Sequence, residues 1–114
     1  MRFWEGSVKV DESGLVDLCA VSDVTPDVPA KSQIAGEDVA VFLVAGRFYV
    51  TQDICTHGPG YLSEGYIEGD EVECPFHQGR FCITTGAPTA APCNEPLKTW
   101  PAEVADGRVY AVVP

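Results

Sequence analysis

Cys55-Thr56-His57-Gly58 and Cys74-Pro75-Phe76-His77-Gln78-Gly79-Arg80-Phe81 are the two segments on which the reading of this chain turns. They hold both histidines of the protein, each close behind a cysteine, with sixteen residues between His57 and Cys74. Two thiolates and two imidazoles complete a four-ligand set, and short Cys-to-His spacings let one loop wrap two side chains round one centre. Three readings compete. Buried cysteines with incidental histidines fit poorly, because glycines and prolines shape both segments as backbone folded round a centre requires. A structural Cys2His2 zinc fits the ligand count, but pairs separated by one and two residues depart from the usual finger spacing, and no helix follows to carry the histidines. The favoured reading is a 2Fe-2S cluster with asymmetric ligation, each segment giving one cysteine to one iron and one histidine to the other.

The chain on either side of these segments reads as strand. Pro and Gly are frequent, at 9 and 11 residues, and no stretch sustains an apolar 3.6-residue period, so strands and turns are expected and helix is not. Val16 to Ala20 alternates as a first strand, Asp23 to Pro29 is a turn-rich connection, and Ala30 to Ile34 follows as a second strand. Val39 to Val44 reads as a central strand, which Ala45-Gly46 turns back onto Arg47 to Thr51. Asp106-Gly107 makes a second such turn between Ala102 to Ala105 and Arg108 to Val112. Between the hairpins, residues 52–95 hold four of the five cysteines, both histidines and six glycines, so this insert is expected to carry the function. Within it Tyr66 to Glu73 reads as a small hairpin turning at Gly69-Asp70, and Gly79 to Ile83 as a short strand.

Composition bounds the function. The 114 residues suit one domain, and 17 acidic against 7 basic side chains leave a formal charge of −10, which disfavours a nucleic-acid surface. The longest wholly apolar run, Val39 to Ala45, is seven residues, too short to span a bilayer, and Met1 to Glu5 has no signal-peptide core. A soluble cytoplasmic protein is expected, with no membrane and no nucleic-acid partner. Five irregularly spaced cysteines do not form the even-numbered framework of a small secreted domain.

The two quoted segments resemble the two boxes of Rieske proteins, most of all the small Rieske-type ferredoxins of bacterial aromatic-ring-hydroxylating dioxygenase systems. The likeness is specific at the boxes and extends as strand and turn order from Val16 to Val113. It implies an all-β fold of three antiparallel sheets, with a base formed by both chain ends and an inserted cluster-binding subdomain at residues 52–95. Residues 15–114 would form the Rieske domain and residues 1–14 an N-terminal arm. The resemblance gives Cys55 and Cys74 to the buried iron and His57 and His77 to the outer one, and it places a proline-containing third loop, Ala87-Pro88 to Ala91-Pro92, over the cluster. High-potential members of the group carry a disulfide and two hydroxyl donors at positions corresponding here to Gly60, Phe76, Gly79 and Phe81. Their absence, with many carboxylates nearby, places the potential near the low end, on the order of −150 mV.

The implied role is that of a one-electron carrier, expected as a monomer, between a flavin-dependent ferredoxin reductase and a terminal Rieske oxygenase. No catalytic residue is expected: both histidines are used, so no mononuclear iron site remains, and no Gly-x-Gly-x-x-Gly offers a dinucleotide site. The alternative is a Rieske-like small subunit of an assimilatory nitrite reductase, which the full ligand set weighs against. Cys19, Cys82 and Cys93 read as small packed thiols, with a Cys82–Cys93 disulfide as the rival reading. Phe42, Phe48, Tyr49, Phe81 and Tyr110 read as core, while Trp4 and Trp100 have no assigned place. Glu64, Glu68, Asp70, Glu71 and Glu73 form an acidic group, either a solvated hairpin or a docking surface for basic partners.

Overall fold

A computed structural model of the chain describes residues 14–56, 58–76 and 78–113. Their order is β1 (Leu15–Ala20), β2 (Ala30–Ile34), β3 (Glu37–Val44), β4 (Arg47–Gln52), β5 (Tyr66–Glu68), β6 (Glu71–Glu73), β7 (Arg80–Cys82), β8 (Pro88–Ala90), β9 (Thr99–Trp100), β10 (Ala102–Ala105) and β11 (Arg108–Val112). Two single-turn 3-10 helices, Val21–Asp23 and Leu62–Glu64, are the helical elements among the described residues. All pairings are antiparallel, in three sheets ordered β1-β11-β10, β2-β3-β4-β9 and β5-β6-β7-β8. The first sheet joins the two ends of the described chain, as the base of a Rieske fold should.

β3 explains how the sheets come together. Its residues Val39, Ala40, Val41 and Phe42 are all buried, so the unbroken apolar run marks a strand covered on both faces. Val39 and Val41 join a core with Val16, Leu18, Val50, Val109 and Ala111, whereas Ala40 and Phe42 join a second core with Leu62, Val72, Phe81 and Ile83. Successive side chains leave a strand on opposite sides, so one strand feeds both cores. Full burial of each Val or Phe side chain contributes about 1.5–3 kcal/mol.

Local chemistry fixes the registers. Ala45 and Gly46 turn the β3–β4 hairpin with φ of 51° and 80°, the two positive values of a type I′ turn, and Asp106-Gly107 does the same for β10–β11 at 52° and 75°. β1 carries a bulge between Asp17 and Cys19, where the register on β11 slips from Tyr110 to Val109. The bulge lets two neighbours, Leu18 and Cys19, both face inward. Arg108 spans this pair of strands, its Nε and Nη2 lying 3.0 and 2.9 Å from Oδ1 of Asp17. Ser32 Oγ donates to the Leu18 carbonyl at 3.0 Å and so ties the second sheet to the first.

Two short strands depart from the sequence expectation. The segment expected as a loop, Ala87 to Pro92, contains β8, which pairs with β7 at the edge of the third sheet, where Pro88 needs no N–H to donate onward. β9 pairs Val50 with Trp100 and Thr51 with Thr99, so Trp100 is half-buried against the first core, with the Lys98 ammonium 5.3 Å from its ring centre. Of the expected aromatic core, Phe42, Phe81 and Tyr110 are buried, while Phe48 and Tyr49 are half-buried on opposite sides of β4. Trp4 and the segment 1–13 lie outside the described residues.

Candidate metal centre

Both candidate ligand loops are closed by the same backbone bond. The Cys55 N–H donates to the Gly60 carbonyl at 2.9 Å, and the Cys74 N–H donates to the Gly79 carbonyl at 2.8 Å. Each cysteine is thus clamped to a glycine five residues on, and the expected His57 and His77 sit in sequence inside these two closures. Both histidines themselves lie outside the described residues. In the second loop the Gln78 N–H also donates to the Cys74 carbonyl at 3.1 Å, with Gln78 in the left-handed region at φ 60°.

The first loop is anchored by a residue the sequence reading did not single out. Asp53 is buried, and its carboxylate accepts from the Ser63 N–H at 2.8 Å and the Ser63 hydroxyl at 2.9 Å. Its carbonyl accepts from the Leu62 N–H at 2.7 Å, and an Ile54–Tyr61 bridge closes the loop beneath them. Burial pushes the Asp53 carboxyl above its ordinary value, and the two bonds from Ser63 oppose that rise. An Asp ten residues ahead of a Ser gives no local sequence signal of this contact.

Cys55 and Cys74 enter one core. Both are buried, in the cluster that holds Phe42, Leu62, Val72 and Phe81. Gly60 of the first loop lies so close to the second that a Cβ on it would stand 3.1 Å from the Cys74 sulfur. A side chain at residue 60 would press on that sulfur and on the Phe76 ring, 3.0 Å away. The third loop closes over them: the Thr56 hydroxyl donates to the Glu95 carbonyl at 3.0 Å, and Cys93 brings its sulfur to 4.0 Å from that of Cys55. The Ala91–Pro92 peptide bond in this loop is cis.

The remaining thiols divide. No disulfide joins Cys82 to Cys93. Cys82 shares a hydrogen bond with the Thr84 hydroxyl at 3.2 Å, which lowers its thiol from the ordinary range. Cys19 belongs to the other core, where burial and then Asp23 push its thiol up to about 11. Burial, followed by the neighbouring Cys55, pushes Cys93 up to about 12. Placement of Cys93 beside Cys55 is the feature of the centre that spacing alone could not reveal.

The acidic group is largely paired. Arg80 reaches Glu68 at 2.8 Å, Glu73 at 3.1 Å and Glu71 at 3.5 Å, and Lys31 reaches Glu64 at 2.7 Å. The pairing follows from register, since Arg80 stands directly opposite Glu73 on β6. Ile54, Pro59, Gly60, Tyr61, Glu64 and Phe76 line a cleft of about 450 Å³. Phe76 is 68% exposed at its rim, large for an apolar ring.

Two buried thiols under two matched loops fit a group with sulfur on its protein side, because thiolate ligands shielded from water are what an iron–sulfur cluster takes. Residues 14–101 match the family model of the Rieske [2Fe-2S] domain. The chain is 44% identical to ferredoxin CarAc of Metapseudomonas resinovorans, over 82% of this chain and 88% of that one. It is 43% identical to the ferredoxin component of the p-cumate 2,3-dioxygenase system of Pseudomonas putida, over 91% and 90%. Among solved structures, a ferredoxin in complex with the oxygenase of carbazole 1,9a-dioxygenase superposes with a TM-score of 0.80 at 40% identity, over 89% of this chain and 94% of that one. The chain belongs to the Rieske [2Fe-2S] family, and its cofactor is a Rieske-type 2Fe-2S cluster.

Proposed function

We propose that Cys55, His57, Cys74 and His77 hold the cluster, and that the chain carries single electrons from a flavin-dependent ferredoxin reductase to a terminal aromatic-ring-hydroxylating oxygenase. The chain is an electron-transfer component and not itself a catalyst. The observation that carries the reading is the pair of buried cysteines, each clamped by its N–H to a glycine five residues later, converging in one apolar core. A bound cluster supplies a one-electron couple at a low potential. Phe42, Leu62, Val72 and Phe81 exclude water from the cysteine side, while the exposed loop residues Ile54, Tyr61 and Phe76 offer partners an apolar surface beside it. A brief, small contact there suits turnover better than a tight one.

Residues 15–114 are read as the Rieske domain, with residues 52–95 as its cluster-binding part and residues 1–14 as an arm. The working state is taken to be a cytoplasmic monomer; no helix among the described residues is long and apolar enough to cross a membrane. The nitrite reductase subunit is the less supported reading, since both relatives named above are ferredoxins.

Metal analysis tests the ligand set. Purified protein should contain about two irons and two acid-labile sulfides per chain, since four ligands serve two irons in this ligation. Replacement of His77 by Ala should abolish the EPR signal of the dithionite-reduced protein, and Cys19→Ser should keep it. Stoichiometric zinc without sulfide, in protein from iron-replete cells, would refute the reading.

A further inference from the structure

Cys93 is the one sulfur of the cluster-side core that the proposed ligation leaves unused, apart from Cys82 at its margin. It is 6% exposed, and its sulfur stands 4.0 Å from that of Cys55, within hydrogen-bonding range for sulfur. A second observation concerns the second loop. A Cβ built on Gly79 would stand 2.2 Å from the Cys93 sulfur and 3.1 Å from its Cβ, so Gly79 is side-chain-free where the sulfur lies. The third loop therefore delivers a thiol into space that residue 79 vacates, against the sulfur of a proposed ligand.

The direction of that contact follows from proton counting. A Cys55 bound to iron is a thiolate with lone pairs and no proton, whereas Cys93 has one S–H to give. We propose that Cys93 is a positioning residue that donates its S–H to the Cys55 sulfur and so raises the reduction potential of the cluster. Such a bond favours the reduced state, because reduction adds negative charge to the iron and its sulfur ligands and the donor strengthens with that charge. A thiol is a weak donor, so the effect is small but measurable. The inference rests on the reading of Cys55 as a ligand.

Three variants of the full-length, cluster-loaded protein test it, each checked for iron and sulfide before its midpoint is titrated. Cys93→Ala and Cys93→Val should keep two irons and shift the redox equilibrium about threefold toward the oxidised state, which at 59 mV per decade is about 28 mV downward. Valine fills the space without a proton, so a midpoint that stays at the wild-type value in Val but falls in Ala would assign the effect to packing and overturn the proposal. Cys93→Ser retains a donor and should hold the midpoint at or above the wild-type value. Unchanged midpoints in both Ala and Val, with full iron content, overturn the donor role. Should Cys93→Ala lose its cluster, the comparison of Val with Ser decides, and a Val midpoint equal to that of Ser overturns it as well. Cys55→Ala marks the separate failure: full iron in that variant would sink the ligand reading itself, whatever Cys93 does.

Discussion

On one face of the β3–β4 sheet, Val39, Val41 and Val50 meet Val16, Leu18, Val109 and Ala111; on the other, Ala40 and Phe42 meet Leu62, Val72, Phe81 and three cysteines. The first face is built by ladders of four to six residue pairs, in β1–β11, β10–β11, β2–β3 and β3–β4. The second is built by ladders of two or three pairs, in β5–β6, β6–β7 and β7–β8, with loops stitched over them. Aliphatic side chains on long ladders make a core that is stable from its own burial. Three-residue strands fall well below the usual five or six and gain little from backbone pairing alone. The cluster-side half thus depends on what its cysteines hold, and the base does not.

The effect expected to reach the most residues comes from stripping the cluster with chelator and reductant. A group that binds only the folded half stabilises that half by mass action, so its removal should release β5 to β8 and leave the base intact. Amide hydrogen exchange should speed up at Val72 and Phe81 by at least about tenfold, equivalent to about 1.4 kcal/mol of local opening free energy, while Val41 and Val109 keep their protection. Uniform acceleration in both halves would show one cooperative unit and break the comparison.

Adjacent residues of β3 sharpen it. Phe42→Ala should cost about 3–5 kcal/mol and should also lower the iron retained through purification, since the lost ring lies in the core that holds Cys55 and Cys74. Val41→Ala leaves a smaller cavity on the other face, so it should lower the melting temperature at full iron content. Equal iron loss in the two variants would mean that the faces are coupled through the sheet.

Legibility does not follow that line, since the cluster-side hairpin β5–β6 is readable and β9 of the other sheet is not. β2, the β3–β4 hairpin and the β10–β11 hairpin could be read from residue patterns because burial there follows period and turn chemistry. Ala30 to Ile34 and the turns at Ala45-Gly46 and Asp106-Gly107 stand where the residues suggest. The cysteines could be singled out by spacing, since the loops themselves set their separation. β8 and β9 could not, because a proline and two or three residues of pairing leave no periodic trace. Nor could the Asp53–Ser63 staple or the approach of Cys93 to Cys55, which tertiary folding creates between residues without a local pattern.

That staple gives the third test. Asp53→Ala leaves the Ser63 N–H and hydroxyl without their acceptor, which should cost about 1–3 kcal/mol where the groups stay buried. Because the loss falls on the first ligand loop, iron release into a chelator should quicken in this variant, whereas an aspartate tied to the base should not act on it. Asp17→Ala, which removes the contact to Arg108, supplies that control. Release rates that match in the two variants would deny the loop its special dependence on Asp53.

The smallest effect concerns charge on the cluster-side sheet. Glu68, Glu71 and Glu73 share one cation, Arg80, so the patch is acidic but partly neutralised. If basic partners are steered by it, the bimolecular rate of reduction by the reductase should fall as salt shortens the Debye length from about 10 to about 3 Å. Glu68→Gln with Glu71→Gln should flatten that dependence, and Arg80→Gln should steepen it by unmasking three carboxylates at once. The opposite signs of the two changes are what separate steering from a general loss of structure. Stopped-flow rates that stay flat with salt in all three proteins would move the contact to the cleft at Ile54, Tyr61 and Phe76, where Phe76→Ala should then slow reduction at every ionic strength.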